Sequence, residues 1–111
     1  MHEMGFAKII IDEVNKLVKE KDAKKVTAVK IIMGELLLIN PEQLNFWFKA
    51  LTQGTIIEGA KLDISFVKPK IICTICGKNY NQPIGLCEEC GGFVKVEGGK
   101  EIVIEKVEME V

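Results

Sequence analysis

The chain contains no arginine: all fifteen of its basic residues are lysine. A surface without guanidinium groups lacks the bidentate fork that reads guanine edges and grips phosphate. Sixteen acidic residues leave the net charge at −1. Both facts argue against a nucleic-acid partner, whose recognition starts from a concentrated positive face. Histidine occurs once, as His2, so a Ser-His-Asp or Cys-His arrangement would have to draw its imidazole from the second residue of the chain. No GxxxxGK[ST] or GxGxxG element is present, which removes the usual nucleotide cradles. Enzymatic catalysis is therefore not expected. No apolar run approaches the roughly 20 residues needed to cross a bilayer. The opening MHEMGFAKII has no basic region ahead of an apolar core, so a soluble, cytoplasmic protein with no membrane partner is expected.

Cysteine is also scarce, but all four fall within one stretch, CTICGKNYNQPIGLCEEC, from Cys73 to Cys90. They form two Cys-x-x-Cys pairs, Cys73 with Cys76 and Cys87 with Cys90, each followed at once by glycine. Two residues between thiols let both sulfurs of a tight turn face one ion, and the glycine lets the backbone curl back beneath them. Four thiolates suit Zn²⁺ in a closed structural site, at about 2.3 Å to each sulfur. Iron in a rubredoxin-like site shares this spacing, and two disulfides or a redox pair are the remaining uses. A bound ion with four thiolates would carry about −2, a further reason against polyanions. The ten residues between the pairs make a hairpin too small to fold alone, so its folding and metal binding should be one event.

The rest of the chain reads as α+β. From Glu3 to Lys21 the residues Phe6, Ile9, Ile10, Val14, Leu17 and Val18 recur at three- and four-residue steps, the period of an amphipathic helix. Asp12 with Lys16 and Glu20 with Lys24 are spaced as favourable i,i+4 pairs. The run from Val26 to Met33 suits a strand covered on at least one face, closed or bulged by Gly34. Asn40-Pro41-Glu42-Gln43 reads as a helix cap, a proline at the first helical position and an acid in the first turn. Leu44, Trp47, Phe48 and Leu51 supply the buried face of that helix, and Gly54 stands at its end. Lys61 to Val67 alternates as a half-buried strand with Leu62, Ile64 and Phe66 on one side. Phe93 to Val96 can pair with Ile71 and Ile72 at the base of the cysteine hairpin. Glu101 to Val111 is a last strand, in which Ile102 and Ile104 fall out of phase with Val107 and Met109 unless a bulge intervenes near Glu105. The expected architecture is two helices on a small three-stranded sheet, with a zinc-ribbon-like four-cysteine lobe inserted before the third strand. Boundaries at Pro69 and Gly98-Gly99 give one part from residues 1–68 plus 99–111 and another from 69–98. Those junctions are expected to let the lobe reorient.

A histidine at position 2 has chemistry unavailable elsewhere in a chain. The α-amine of Met1, the amide nitrogen of His2 and its imidazole Nδ1 can close fused chelate rings around one ion, a planar nitrogen field preferred by Ni²⁺ and Cu²⁺. Left to itself, a histidine on a frayed terminus is ordinarily only a surface residue.

Taken together, Met1-His2-Glu3, Gly34-Glu35-Leu36, Asn40-Pro41-Glu42-Gln43-Leu44, Gly54-Thr55, Glu58-Gly59-Ala60 and the two Cys-x-x-Cys pairs resemble the HypA/HybF family of nickel-insertion accessory proteins over essentially the full length. The resemblance implies a nickel metallochaperone for [NiFe]-hydrogenase maturation, with urease a further possible client, and a nickel-binding α/β domain into which a zinc domain is inserted. It implies His2 as the nickel ligand, with the main chain of Met1 and Glu3 beside it, and Cys73, Cys76, Cys87 and Cys90 as the zinc ligands. Transient Ni²⁺ and structural Zn²⁺ follow. So do partnership with the GTPase HypB and with the hydrogenase large-subunit precursor, and a monomer or weak homodimer. Some members carry an acid where this chain has Asn40, read here as the helix cap. Others carry extra histidines in the zinc lobe, which this chain lacks, so the fourth nickel ligand falls to water, a backbone group or Glu3. The competing reading is a zinc-ribbon module associated with nucleic acid or with another protein.

Overall fold

The computed structural model describes residues 2–82 and 84–111. Its elements in chain order are helix α1 (Glu3–Lys21), strand β1 (Lys25–Gly34), a 3₁₀ turn (Glu35–Leu37), helix α2 (Pro41–Thr52), and strands β2 (Lys61–Val67), β3 (Lys70–Cys73), β4 (Asn79–Tyr80), β5 (Val94–Glu97) and β6 (Ile102–Glu110). The fold is α+β as expected: two helices with a three-stranded sheet β2-β1-β6, and a second sheet β4-β3-β5 that carries the cysteines. The molecule measures 57 × 25 × 17 Å, with a radius of gyration of 18.0 Å. A single compact body of this length would have a radius near 13 Å. The excess follows from setting a small sheet at the end of a larger one.

Helix α1 buries Phe6, Ala7, Ile10 and Val14, the stripe that a 3.6-residue period predicts. Ile9, expected on that stripe, is largely exposed, because it lies at the edge of the arc the sheet covers. The helix stops at Asp22 in the left-handed region (φ 51°), where Ala23 N–H closes on the Val18 carbonyl at 3.0 Å. The spacing Asp12 to Lys16 is not used: Lys16 instead reaches Glu13 at 3.0 Å. Lys24 lies beyond the helix end, so it is not on the helical face of Glu20. Helix α2 is capped as its sequence predicts, the Asn40 Oδ1 accepting from the amides of Glu42 (2.9 Å) and Gln43 (3.2 Å). Leu44 and Phe48 are fully inside, with Trp47 and Leu51 partly covered at the margin. Thr52, the buried polar residue of this helix, donates its hydroxyl to the Phe48 carbonyl at 2.7 Å, which avoids the cost of an unpaired group.

Strand β1 is central, parallel to β2 from Ala28↔Lys61 to Gly34↔Val67 and antiparallel to β6 from Lys25↔Glu110 to Met33↔Ile102. The β6 register steps between Lys30↔Lys106 and Ile31↔Ile104, leaving Glu105 without an opposite residue. That bulge is the device the sequence demanded: Ile102, Ile104, Val107 and Met109 all pack on one core. Strand β2 leaves the core toward its end, so Leu62 is buried and Phe66 exposed. The turn between α2 and β2 contributes Ile57, fully buried, which no periodic pattern marks.

Both helices run antiparallel to β1. The first turns back through a three-residue link, and the second returns the chain between two parallel strands. Their N-termini therefore lie at the end of the sheet where β1 stops, which is also where β2 leaves and β6 enters. The cysteine lobe joins the body there through a packed junction. Gly34 N–H bonds to the Glu101 carbonyl and Leu36 N–H to the Gly99 carbonyl, both at 2.8 Å. A Cβ on Gly34 would stand 2.0 Å from the Gly99 carbonyl carbon. Gly98-Gly99, expected as a hinge or tight turn, is hydrogen-bonded to the body on its Gly99 side.

Gly34→Ala should cost about 3 kcal/mol or more, because backbone rather than a movable side chain blocks the new atom. Gly54→Ala, at φ 80° with open space around it, should cost only about 1 kcal/mol. Urea unfolding of the two variants beside wild type checks both values.

Candidate metal centre

The four sulfurs meet although their cysteines come from two separate turns. Strand β3 ends on Cys73 and enters the first knuckle, β4 returns from it, and β5 runs back alongside β3 from the second knuckle. The two knuckles repeat one hydrogen-bond pattern. Cys73 N–H bonds to the Lys78 carbonyl at 2.9 Å and Gly77 N–H to the Cys73 carbonyl at 3.2 Å. Cys87 N–H bonds to the Gly92 carbonyl at 2.8 Å and Gly91 N–H to the Cys87 carbonyl at 3.0 Å. Gly77 and Gly91 take the same left-handed conformation, φ 77° and 74°, the curl anticipated from their place after each second cysteine.

All four Sγ atoms lie within 4.8 Å of one another. The Cys73–Cys90 pair is 3.4 Å apart and the Cys76–Cys87 pair 3.6 Å. Sulfurs on a tetrahedron with bonds of about 2.3 Å would be separated by about 3.8 Å, so the side chains are disposed as such an ion requires. They are far beyond the roughly 2.05 Å of a disulfide, and all four cysteines are free. Cys73 and Cys87 are buried, and Cys76 and Cys90 exposed. The buried pair is held toward thiolate. Cys73 is lowered first by the Cys76 backbone N–H, 3.4 Å from its sulfur, with Ile75 N–H at the same distance. Cys87 is lowered to about 6, first by the Tyr80 hydroxyl. Cys76 goes the other way, to about 12: the Lys78 amide pulls it down, but the adjacent Cys73 and Cys87 sulfurs outweigh it. Two sulfurs are thus shifted toward ionisation and two away from it, and a divalent ion would offset the repulsion among four thiolates. Tyr80 was not marked by the cysteine spacing. Being the sole tyrosine, four residues past Cys76, was its only signal.

The other predicted site lies at the opposite end of the chain. His2 is the N-cap of α1, with extended backbone (φ −87°, ψ 161°) and no side-chain cap bond. Its carbonyl accepts from Gly5 N–H at 2.9 Å and Phe6 N–H at 3.3 Å, and the residue is exposed. His2 is therefore tied to the helix through its carbonyl. The Met1 amine lies outside the described residues. Asn40 is engaged as a cap at the same end of the sheet. The zinc assignment and the His2 assignment thus concern two separate groups, of which only the sulfurs converge on one point.

Replacing Cys73 with alanine should abolish metal uptake by the lobe and melt β3, β4 and β5 while α1, α2, β1, β2 and β6 persist, because the larger sheet has its own core. Metal analysis together with amide hydrogen exchange would show this as protection lost from residues 70–97 alone.

A family model described as hydrogenase/urease nickel incorporation, metallochaperone, hypA matches residues 1–109. The hydrogenase maturation factor HypA of Archaeoglobus fulgidus is 52% identical over 111 residues, spanning 100% of each chain. The factor of the same name from Methanocaldococcus jannaschii is 37% identical over 121 residues, 99% of this chain and 98% of the other. Two solution structures share the fold. One, described as the Ni metallochaperone HypA from Helicobacter pylori, has a TM-score of 0.71 at 23% identity, covering 99% of this chain and 98% of that one. The second, described as HypA protein, has a TM-score of 0.73 at 24% identity, covering 98% and 96%. With its two-helix sheet, its four-sulfur cluster and this match over nearly every residue, the chain belongs to the HypA family of hydrogenase/urease nickel-incorporation metallochaperones.

Proposed function

We propose that the chain carries Ni²⁺ at its first residues for maturation of [NiFe]-hydrogenase, while the four cysteines hold a resident Zn²⁺ that folds the smaller lobe. Residues 1–68 with 99–111 form the nickel part and residues 69–98 the zinc part. The observation that carries this reading is the place of His2 at the N-cap of α1. Amides at the start of a helix have no carbonyl one turn back to bond, so the His2 and Glu3 nitrogens stand beside an exposed imidazole with no helical hydrogen bond to surrender. Amide nitrogen and imidazole together make the planar field that Ni²⁺ prefers over Zn²⁺, and the Met1 α-amine would add a third nitrogen in fused rings. Thiolates on a tetrahedron suit zinc instead. Two ions are thereby sorted by geometry and donor type.

Nothing in such a carrier breaks a covalent bond of a substrate. Release needs one donor lifted or the imidazole protonated, since protons and metal compete for the same nitrogen. The GTPase HypB and the large-subunit precursor of the hydrogenase are the expected partners in the cytoplasm, with urease maturation a second destination. The nickel terminus and the cysteine lobe share one end of the larger sheet, so a partner docking there would meet both.

Calorimetric nickel titration tests the assignment in graded form. His2→Ala should weaken binding beyond the roughly 10–100-fold that loss of a merely supporting group costs. One extra residue ahead of Met1 should cause a large loss with fold and zinc intact, and a C-terminal tag should cause none. Wild-type nickel affinity in the extended protein would remove the amine from the site. Wild-type affinity in His2→Ala would remove the proposal.

A further inference from the structure

The hydroxyl of Tyr80 sits where a ligand to the metal centre is itself held. Tyr80 leaves the first knuckle on β4, yet its Oη is 2.9 Å from the Sγ of Cys87 in the second knuckle. The same oxygen accepts the Glu88 N–H at 3.0 Å. With that lone pair engaged, the hydroxyl proton is directed at the sulfur, and a thiolate has no proton to offer in return, so oxygen donates and sulfur accepts. Lys78 braces the ring, with its Nζ 5.3 Å from the ring centroid and 3.0 Å from the Glu89 carboxylate. The Lys78–Glu89 pair and the Glu88 N–H bond to Tyr80 both cross from the first knuckle to residues just after Cys87. Among the described residues, Tyr80 is the one side chain other than a cysteine that hydrogen-bonds a cysteine sulfur.

We infer that Tyr80 is a positioning residue of the four-cysteine centre, fixing Cys87 as the anchor thiolate, the last of the four to leave the bound ion. This rests on the zinc reading given above. A hydrogen bond to a ligating sulfur holds it in its ligating orientation and stabilises its anionic form, so that the sulfur is harder to protonate off the ion and less nucleophilic toward an attacking reagent. Exchange and attack then begin at the exposed sulfurs of Cys76 and Cys90. In a protein that handles a second divalent ion, such an anchor keeps the resident ion in place while the cargo passes.

Tyr80→Phe keeps the ring and removes only the hydroxyl. The full-length wild type, Tyr80→Phe and a same-lobe charge control, Lys95→Gln, are each loaded with Co²⁺ and separately with Zn²⁺. Tyr80→Phe should move the sulfur-to-cobalt charge-transfer band to lower energy, since the freed thiolate is richer in electrons. It should also release zinc to a chelator about ten-fold faster, with Lys95→Gln like wild type in both. A wild-type band and release rate in Tyr80→Phe would overturn the inference. A second measurement on the zinc-loaded wild type stands even if that variant does not fold: under slow alkylation followed by mass spectrometry, Cys87 should be modified last, after Cys73, although the two are almost equally buried (4% and 2% exposed). Modification of Cys87 before or together with Cys73 also overturns it. A wild type that takes up neither ion would instead overturn the zinc reading itself.

Discussion

The antiparallel pairing of β6 with β1 joins the last strand of the chain to the centre of its sheet, and most of the molecule's shape follows from it. Once Ile102 lies opposite Met33, the excursion from the end of β2 to the start of β6 must leave and return at one end of the sheet. The backbone approach of Gly99 to Gly34 is the local expression of that closure, and the 2.8 Å bonds through Gly99 and Glu101 extend the pairing beyond the strands proper. The cysteine lobe is thus joined to the body at both the end of β2 and the start of β6. Closing a loop of this length costs entropy only slowly with each added residue, so an inserted lobe is compatible with a sheet that supplies its own burial.

The lobe has little apolar burial of its own. Among its described residues, Ile71, Cys73 and Cys87 are its buried members, and two of those three are metal-ligand candidates. Burial of a few side chains, at about 1.5–3 kcal/mol each, does not offset the entropy of ordering some thirty residues at about 1–2 kcal/mol apiece. On the reading proposed above, sulfur–metal bonds would supply stability that burial does not, which would couple folding to metal binding there and not in the larger sheet. The same argument explains why the hydrogen bonds of the lobe cluster around sulfur. With no core to hold them, the thiolates are oriented by backbone N–H groups and by one phenol.

The two groups differ in what positions them. The sulfurs come together only after two turns, two strand pairings and the isolated bridge Leu86↔Phe93 are in place. His2 needs nothing but the start of a helix. A chelate built from consecutive residues is preassembled by covalent connectivity, and the helix contributes a fixed carbonyl and amides without intrahelical partners. That difference fits the roles proposed: a resident ion enclosed by long-range structure, and a cargo ion held by atoms that can be reached and lifted.

Much of this was legible in the sequence, for reasons tied to particular residues. The bounds of α1, the Asn40 cap, the left-handed Gly54 and the bulge at Glu105 all follow from local rules, while the strand expected at Phe93–Val96 pairs with the base of the hairpin one residue later, as Val94–Glu97. Period, cap chemistry and alternation act over a few residues and hardly depend on what lies elsewhere. The Cys-x-x-Cys pairs belong to the same class, since their meaning is set by spacing within one turn. What only the tertiary structure decided was which distant groups meet. Ile57 enters the core from a turn, because the cluster it joins is assembled from both helices and the sheet. Ile9 falls off the covered arc because the sheet's edge sets its neighbours. Gly99 packs against Gly34 at the stretch expected as a hinge or tight turn, and Tyr80 crosses from one knuckle to a sulfur of the other. Each of these depends on how separated segments are placed relative to one another, a relation that local spacing does not contain and that burial and pairing across the fold impose.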